Sequence, residues 1–160
     1  GESKLRIDPL VKKLGVTKGS FYWHFKNRSD FVRSLVKYWA EAFTENIGRH
    51  IAQLETGPEE RLLALMLLIT EKDLAKYSLA VMDWGQHEPE ALQRIQEVMD
   101  YQMNFVHDLF REIGFTGDEL EMRMNTMVFF QSMEGNRYMH LSKAERIRHV
   151  KLRHRMLVKK

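Results

Sequence analysis

Eleven residues near the start of the chain, Gly15-Val16-Thr17-Lys18-Gly19-Ser20-Phe21-Tyr22-Trp23-His24-Phe25, restrict the fold more than any other stretch. A glycine able to take the left-handed conformation ends one helix. Two positions later Thr17, with a side-chain oxygen, opens the next. Phe21 and Phe25, four apart, supply a buried side, and Lys18, Ser20, Tyr22, Trp23 and His24 fall elsewhere within little more than two turns. So short and polar a helix does not make a core by itself and needs a partner outside the chain. The spacing fits a helix-turn-helix that lays its second helix in the major groove of duplex DNA. A compact hydrophobic corner with incidental aromatics is the alternative that the pattern leaves open.

Upstream, Asp8 is placed to cap the first helix and Pro9 to occupy its first turn, where a missing N–H costs nothing. Leu10, Val11 and Leu14 form the expected buried stripe. Lys18 and Ser20, near the start of the second helix, are candidates for base edges: lysine donates to guanine O6 and N7, and a hydroxyl serves donors or acceptors.

Leu14-Gly15-Val16-Thr17-Lys18-Gly19-Ser20-Phe21-Tyr22-Trp23-His24-Phe25-Lys26-Asn27-Arg28, followed by Asp30-Phe31, resembles the DNA-binding signature of TetR/AcrR-type transcriptional regulators. The similarity is close over residues 5–36, and the Tyr-aromatic-His-Phe-Lys run after the turn is specific. The resemblance implies an all-α homodimeric repressor that leaves its operator when a small molecule binds the C-terminal domain. It assigns Tyr22, Trp23, His24 and Lys26 to phosphate and sugar, with Thr17 and Gly19 beside them and Arg28 a further backbone candidate. It also implies a helix ahead of the helix-turn-helix, with Gly1 near its end. Residues 1–30 are therefore expected to be an N-terminally incomplete DNA-binding head, and residues 31–160 the effector-binding and dimerisation body.

Net charge is partitioned along the chain. Residues 1–37 hold nine Lys or Arg against three Asp or Glu, residues 38–141 eight against eighteen, and residues 142–160 eight against one. A basic head on an acidic body suits a DNA-binding module joined to a regulatory domain. The basic tail reads as a solvated helix face or, alternatively, a second phosphate contact. With no cysteine there is neither a disulfide framework nor a thiolate metal site. The longest apolar run, Leu62 to Ile69, is far below the roughly 20 residues of a membrane helix. No signal peptide is recognisable, and a cytoplasmic protein is the expectation.

Beyond the head the periodicity is helical throughout. Phe31, Leu35, Trp39, Phe43, Ile47, Ile51 and Leu54 predict one long helix from Asp30 to about Leu54, capped by Ser29. Leu62, Leu63, Leu65, Met66, Leu68 and Ile69 make Glu59 to about Lys76 the central buried helix. A shorter segment spans Tyr77 to Trp84. Pro89 opens a helix stopped by Gly114, and Asp118 to about His140 forms another. Ser142-Lys143-Ala144-Glu145 is a capping box for the last. Asp83-Trp84-Gly85-Gln86-His87-Glu88-Pro89 resembles a connector of some TetR-like C-terminal domains.

Nothing in the sequence points to catalysis or to a cofactor. Seven histidines are scattered, and His149 and His154, five apart, fall on different helix faces. No metalloprotease, phosphate-loop or nucleophile-elbow motif occurs. The carboxylate pairs Glu59-Glu60 and Asp118-Glu119 sit at helix N-termini, where the dipole accounts for them. A helical protein-interaction module without sequence-specific DNA binding is the competing functional class, distinguished by the absence of steep salt dependence.

Two further sites are expected in the body. Met124, Met127, Val128, Gln131 and Gly135 on one helix, with Ile147, Val150 and Leu157 on the last, form one side each and would make a four-helix dimer interface, as the resemblance implies. Ten methionines is a high count, and thioethers adapt to varied apolar guests. Trp39, Phe43, Met66, Tyr77, Met82, Trp84, Met103, His107, Phe129, Phe130 and Met133 are the candidates for a mostly apolar pocket, with Asn104, His107 or Gln131 as polar contacts. A small hydrophobic ligand there would tilt the 30–54 helix and change the separation of the two heads. Ligand and operator would then weaken each other equally.

Overall fold

The computed structural model describes residues 6–41, 44, 46–76, 81–82, 88–137 and 140–159, side chains excepted at 90 and 135–137. Eight helices occur among them and no strand: α1 (Ile7–Leu14), α2 (Lys18–His24), α3 (Arg28–Ala40), α4 (Asn46–Ala52), α5 (Pro58–Glu71), α6 (Pro89–Ile113), α7 (Gly117–Arg137) and α8 (Lys143–Val158). The all-α expectation holds.

In the head, α1 ends at Gly15, whose φ of +68° is left-handed, and Thr17 Oγ1 accepts the Ser20 amide at 3.0 Å to open α2. The cap at the start of α1 differs from expectation. Arg6 occupies that position without a side-chain bond, while Asp8 lies inside the first turn and pairs with Lys18 at 2.8 Å. Of the expected stripe, Val11 is buried, Leu10 half-buried and Leu14 exposed. Ile7, one turn before Val11, takes the inner place. Phe21 seals this small core with Phe25 and Phe31, ring centroids 4.9 to 5.2 Å apart.

The cap of α3 is Asn27 rather than Ser29. Asn27 has extended backbone and its side chain accepts the Asp30 amide at 2.8 Å, whereas Ser29 is already helical. Over the single helix predicted from 30 to 54, α-helical backbone covers 28–40 and 46–52 with π-type turns at 41 and 44. Residues 42, 43 and 45 lie outside the described ones, and the two halves have different neighbours. Val32, Val36, Trp39 and Ala40 of α3 pack on Ala91, Ile95 and Val98 of α6. Ile51 of α4, with half-buried Ile47, joins the core formed by Leu62, Leu65 and Met66 of α5.

Helix α5 is the central element, with no exposed residue from 61 to 70. It ends earlier than Lys76 because Asp73 turns into the left-handed region, φ +52°. Phe110, Phe115, Leu120, Met124, Met127, Val150 and Leu157 close the core around it. Helix α6 stops at Gly114, φ +107°, and α8 opens on the Ser142/Glu145 capping box. The Ser142 hydrogen bonds hold the Glu145 carboxyl below its usual range. Val81 and Met82 apart, the segment predicted at 77–84 lies outside the described residues, as does most of the 83–89 connector.

The basic tail is not simply a solvated face. Arg146 and Arg153 of α8 both reach the buried Glu134 of α7, at 3.4 and 3.2 Å, and Arg146 continues to Asp73 at 2.6 Å. Arg153 also donates to Gln131, whose amide donates to Thr70. Buried His154 lies 2.8 Å from the Glu59 carbonyl, while His149 is exposed. Arg123 of α7 donates to the last carbonyls of α8, at Met156, Leu157 and Lys159, with its guanidinium over the Phe115 ring. These bonds satisfy acceptors that a helix end leaves unpaired.

Candidate nucleic-acid interface and effector cavity

The outer side of α2 carries the side chains that the sequence singled out for DNA. Thr17, Lys18, Gly19, Ser20, Tyr22, Trp23, His24 and Lys26 are all exposed. Phe21 anchors the helix from beneath, so this face is presented on a fixed base. Trp23 is 81% exposed and meets His24 edge-on, ring centroids 4.6 Å apart. Tyr22 stands edge-on to Phe21 at 5.3 Å, which fixes its ring while its hydroxyl end stays outward. The Lys26 amide donates to Asp30 at 3.0 Å, holding the turn after α2. Lys18, hydrogen-bonded to Asp8, holds its proton more tightly than an ordinary lysine. Arg28 departs from the expected set. Its guanidinium is ion-paired with Glu88, immediately before α6, and is turned to the body.

In the body, residues of α3–α7 line a partly open cavity of about 110 Å³. Its wall is largely apolar, from Trp39, Ile47, Leu65, Ile69, Phe105 and Val106, with Thr44, Gln102, Gln131 and Ser132 supplying polar atoms. Trp39 is where the sequence reading placed it. Met66 and Met103 lie in or against the core but not at the wall, Met82 is half-buried elsewhere, and His107 faces Asp108 and Glu121 at the surface. Phe129, Phe130 and Met133 point outward, and Asn104 is exposed. Phe43, Tyr77 and Trp84 lie outside the described residues.

The expected dimer stripe is turned inward. Met124, Val150 and Leu157 are buried in the chain's own core, Met127, Val128 and Gln131 line the cavity, and Ile147 is half-buried. Gly135 lies in α7, its surroundings outside the described residues. The outward apolar residues are Met122, Phe129, Phe130 and Met133 of α7 with Leu152 and Met156 of α8, Phe129 and Met156 each 69% exposed. Helix α7 is apolar on two sides, so periodicity alone could not say which side meets its own subunit.

Several residues of this site escaped the sequence reading. Gly48 of α4 faces Tyr101 so closely that a Cβ there would strike the ring. A glycine within an otherwise periodic helix was the available signal. Glu88 and the Glu134 cluster carried none, because their partners are distant in sequence. Among the described residues no cluster of metal-ligating side chains occurs, and no helix is long and apolar enough to cross a membrane.

Comparison with known proteins now bears on this arrangement. Residues 1–35 match the family model of the bacterial regulatory proteins of the tetR family. Over 141 residues the chain is 24% identical to the fatty acid metabolism regulator protein of Bacillus subtilis strain 168, covering 84% of this chain and 72% of that protein. Its fold is similar to the crystal structure of the transcriptional regulator FadR from Bacillus subtilis in complex with stearoyl-CoA, with a TM-score of 0.67 and 19% identity over 98% of this chain and 88% of the other. The tetR-family match thus falls on the head built from α1 and α2, and the all-α body shares the fold of that regulator.

Proposed function

We propose that this chain is a cytoplasmic repressor, and not an enzyme, that binds an operator as a homodimer and leaves it when an apolar ligand enters the body cavity. The observation that carries the reading is the face of α2: Lys18, Ser20, Tyr22, Trp23 and His24 stand outward on a helix fixed by Phe21. Lys18 and Ser20 read base edges, and Tyr22, Trp23, His24 and Lys26 hold phosphate and sugar.

A fatty-acyl compound is the ligand class this reading favours. The apolar wall around Trp39, Leu65 and Phe105 suits an alkyl chain, and the structurally similar FadR was crystallised with stearoyl-CoA. The cavity adjoins both α3, which continues from the head, and α7, which carries the outward apolar face. A chain entering it shifts the elements that set the spacing of two heads. The second subunit docks on Met122, Phe129, Phe130, Leu152 and Met156, the outer side of α7 and α8.

The test is operator selection from genomic fragments by the full chain, followed by titration of long-chain acyl thioesters and unrelated apolar compounds into the complex. Sequence-selective binding that the thioesters release supports the reading. Binding no better than to random duplex of equal length defeats it. In light scattering, Phe129→Arg is expected to convert the dimer to monomer; a dimer that persists would place the interface elsewhere.

A further inference from the structure

Residues 1–37 hold three carboxylates, Glu2, Asp8 and Asp30, against nine Lys or Arg. Asp30 is taken up by the head itself, accepting the Lys26 amide at 3.0 Å and lying 3.6 Å from Arg33. Asp8 is placed differently. It sits in the first turn of α1, where the dipole favours a carboxylate, and its side chain crosses the helix-turn-helix to Lys18, the first residue of α2, at 2.8 Å. Both side chains are more than half exposed, on the side of the head that carries Ser20 and Trp23. A negative charge there is repelled by phosphate and by every acceptor on a base edge. It is favourable only where the DNA presents an amino group.

The two side chains together carry a definite hydrogen-bond pattern. An ammonium has three donors and no acceptor, and a carboxylate accepts only. A free lysine is a flexible point charge that settles on phosphate or on any base acceptor within reach. Held by Asp8, the ammonium keeps its other donors beside an acceptor. Their separation is set from beneath, because Ile7 and Val11 of α1 and Phe21 of α2 share one small core. In the major groove a G·C pair shows two acceptors, guanine N7 and O6, and then a donor, the cytosine N4 amino group. Donors next to an acceptor complement that edge. An A·T pair puts its donor between two acceptors, and thymine O4 would then face the carboxylate.

We infer that Asp8 and Lys18 act as one unit that reads a G·C pair in each half-site: Lys18 donates to guanine, and Asp8 aims that ammonium and accepts from the cytosine amino group. The inference rests on the reading of α2 as the DNA-reading helix and adds to it a determinant of specificity carried on α1. Asp8 then works for selectivity and against affinity. Its charge weakens binding to every duplex, and least to the one with cytosine in front of it.

The experiment selects operators from a randomised duplex library with the full chain. It compares the natural protein with Asp8→Asn, Asp8→Ala, Lys18→Met and the double variant Asp8→Ala/Lys18→Met. Affinities for the selected operator, its single-pair substitutions and random duplex follow across a salt series. The natural protein should prefer G·C at one position of each half-site by about tenfold or more. Both Asp8 variants should cut that preference to about threefold or less and leave the other positions unchanged. They should also bind random duplex more tightly, with a salt slope steeper by up to about 0.9 as Lys18 turns to phosphate. Lys18→Met should lose the preference at the same position, and the double variant should lose no more than Lys18→Met. An unchanged base preference in both Asp8 variants, with affinity for every sequence raised alike or with only the melting temperature altered, overturns the unit and leaves Asp8 a charge on α1. Losses at different positions in the Asp8 and Lys18 variants overturn it as well. A natural protein that prefers no sequence over random duplex overturns the operator reading, and the unit with it.

Discussion

Arg28, in the first turn of α3, is ion-paired with Glu88, the residue immediately before α6. The hydrogen bond to Glu88 raises the proton affinity of Arg28. It ties the turn that follows α2, the helix proposed to face DNA, to the long helix that walls the cavity. Arg28→Ala or Glu88→Ala is expected to cost about 1 kcal/mol of stability. Either change should also reduce the factor by which effector weakens operator binding. Operator affinity with and without effector measures this, and the exchanged pair Arg28→Glu/Glu88→Arg should recover part of the coupling. Equal coupling in all four proteins would assign the pair to stability only.

On α2, the outward side chains separate by kind of loss. Trp23→Ala should leave stability within about 0.5 kcal/mol, since the ring covers little of the protein, while weakening binding to every operator. Lys26→Ala should do the same and reduce the slope of log affinity against log salt by about 0.9. Changing Lys18 should alter which sequence is preferred. Asp8→Asn, by releasing Lys18 from its ion pair and removing a negative charge beside the DNA, should tighten binding. Fluorescence anisotropy across a salt series separates these outcomes.

Gly48→Ala tests the contact of Gly48 with Tyr101, both at the cavity wall. A methyl group there meets the Tyr101 ring, which has solvent to swing into. Alanine favours the helix by roughly 0.5–1 kcal/mol, so thermal stability should change little. Ligand affinity and on-rate should both shift as Tyr101 is displaced, and stopped-flow tryptophan fluorescence of a Trp23→Phe/Trp84→Phe background, which leaves Trp39 as reporter, would record it. Unaltered rates would mean that Tyr101 does not gate the site.

Glu134 holds two arginines in the interior, so its loss strands both. Glu134→Ala is expected to destabilise the fold by about 3–5 kcal/mol. Replacing the whole cluster with apolar residues should cost far less than that single change. Chemical denaturation of the two variants provides the comparison.

The Asp73 carboxyl lies below the ordinary carboxylate range, chiefly because Arg146 donates to it, with Lys143 adding to the effect. The folded chain therefore binds this proton less tightly than the unfolded chain. The stabilisation is complete above about pH 5 and declines as pH falls through about 4 toward the lower folded value. Asp73→Asn should lower stability at neutral pH and flatten the acid limb between about pH 4 and 3. Denaturation midpoints across that interval decide it.

Residues that act through near neighbours were legible in the sequence. Gly15, Thr17 and the Ser142/Glu145 box stop and start helices by local chemistry, and Phe21 with Phe25 marks the anchored side of α2. The Asp8 and Ser29 caps were misplaced because Asp and Ser also serve in a first turn. Where the outcome depends on what a helix meets, sequence could not decide. Periodicity over 30–54 did not reveal that Trp39 and Ile51 belong to separate cores. Which side of α7 packs on its own chain was not legible because both its faces are apolar, and the cavity wall was only partly found because Thr44 and Gly48 lack the bulk that marks methionines and aromatics.

The grip of Arg123 on the final carbonyls of α8 bears on how long two subunits stay together. Met156, one of the most outward apolar residues, lies in the turn that Arg123 secures from α7. In the proposed dimer that turn is set before any encounter, so pairing sacrifices little of its freedom. Separation, rather than encounter, then governs the lifetime of the pair. Two heads matched once should remain matched through many rounds of landing on and leaving the operator, with subunit exchange slow beside either.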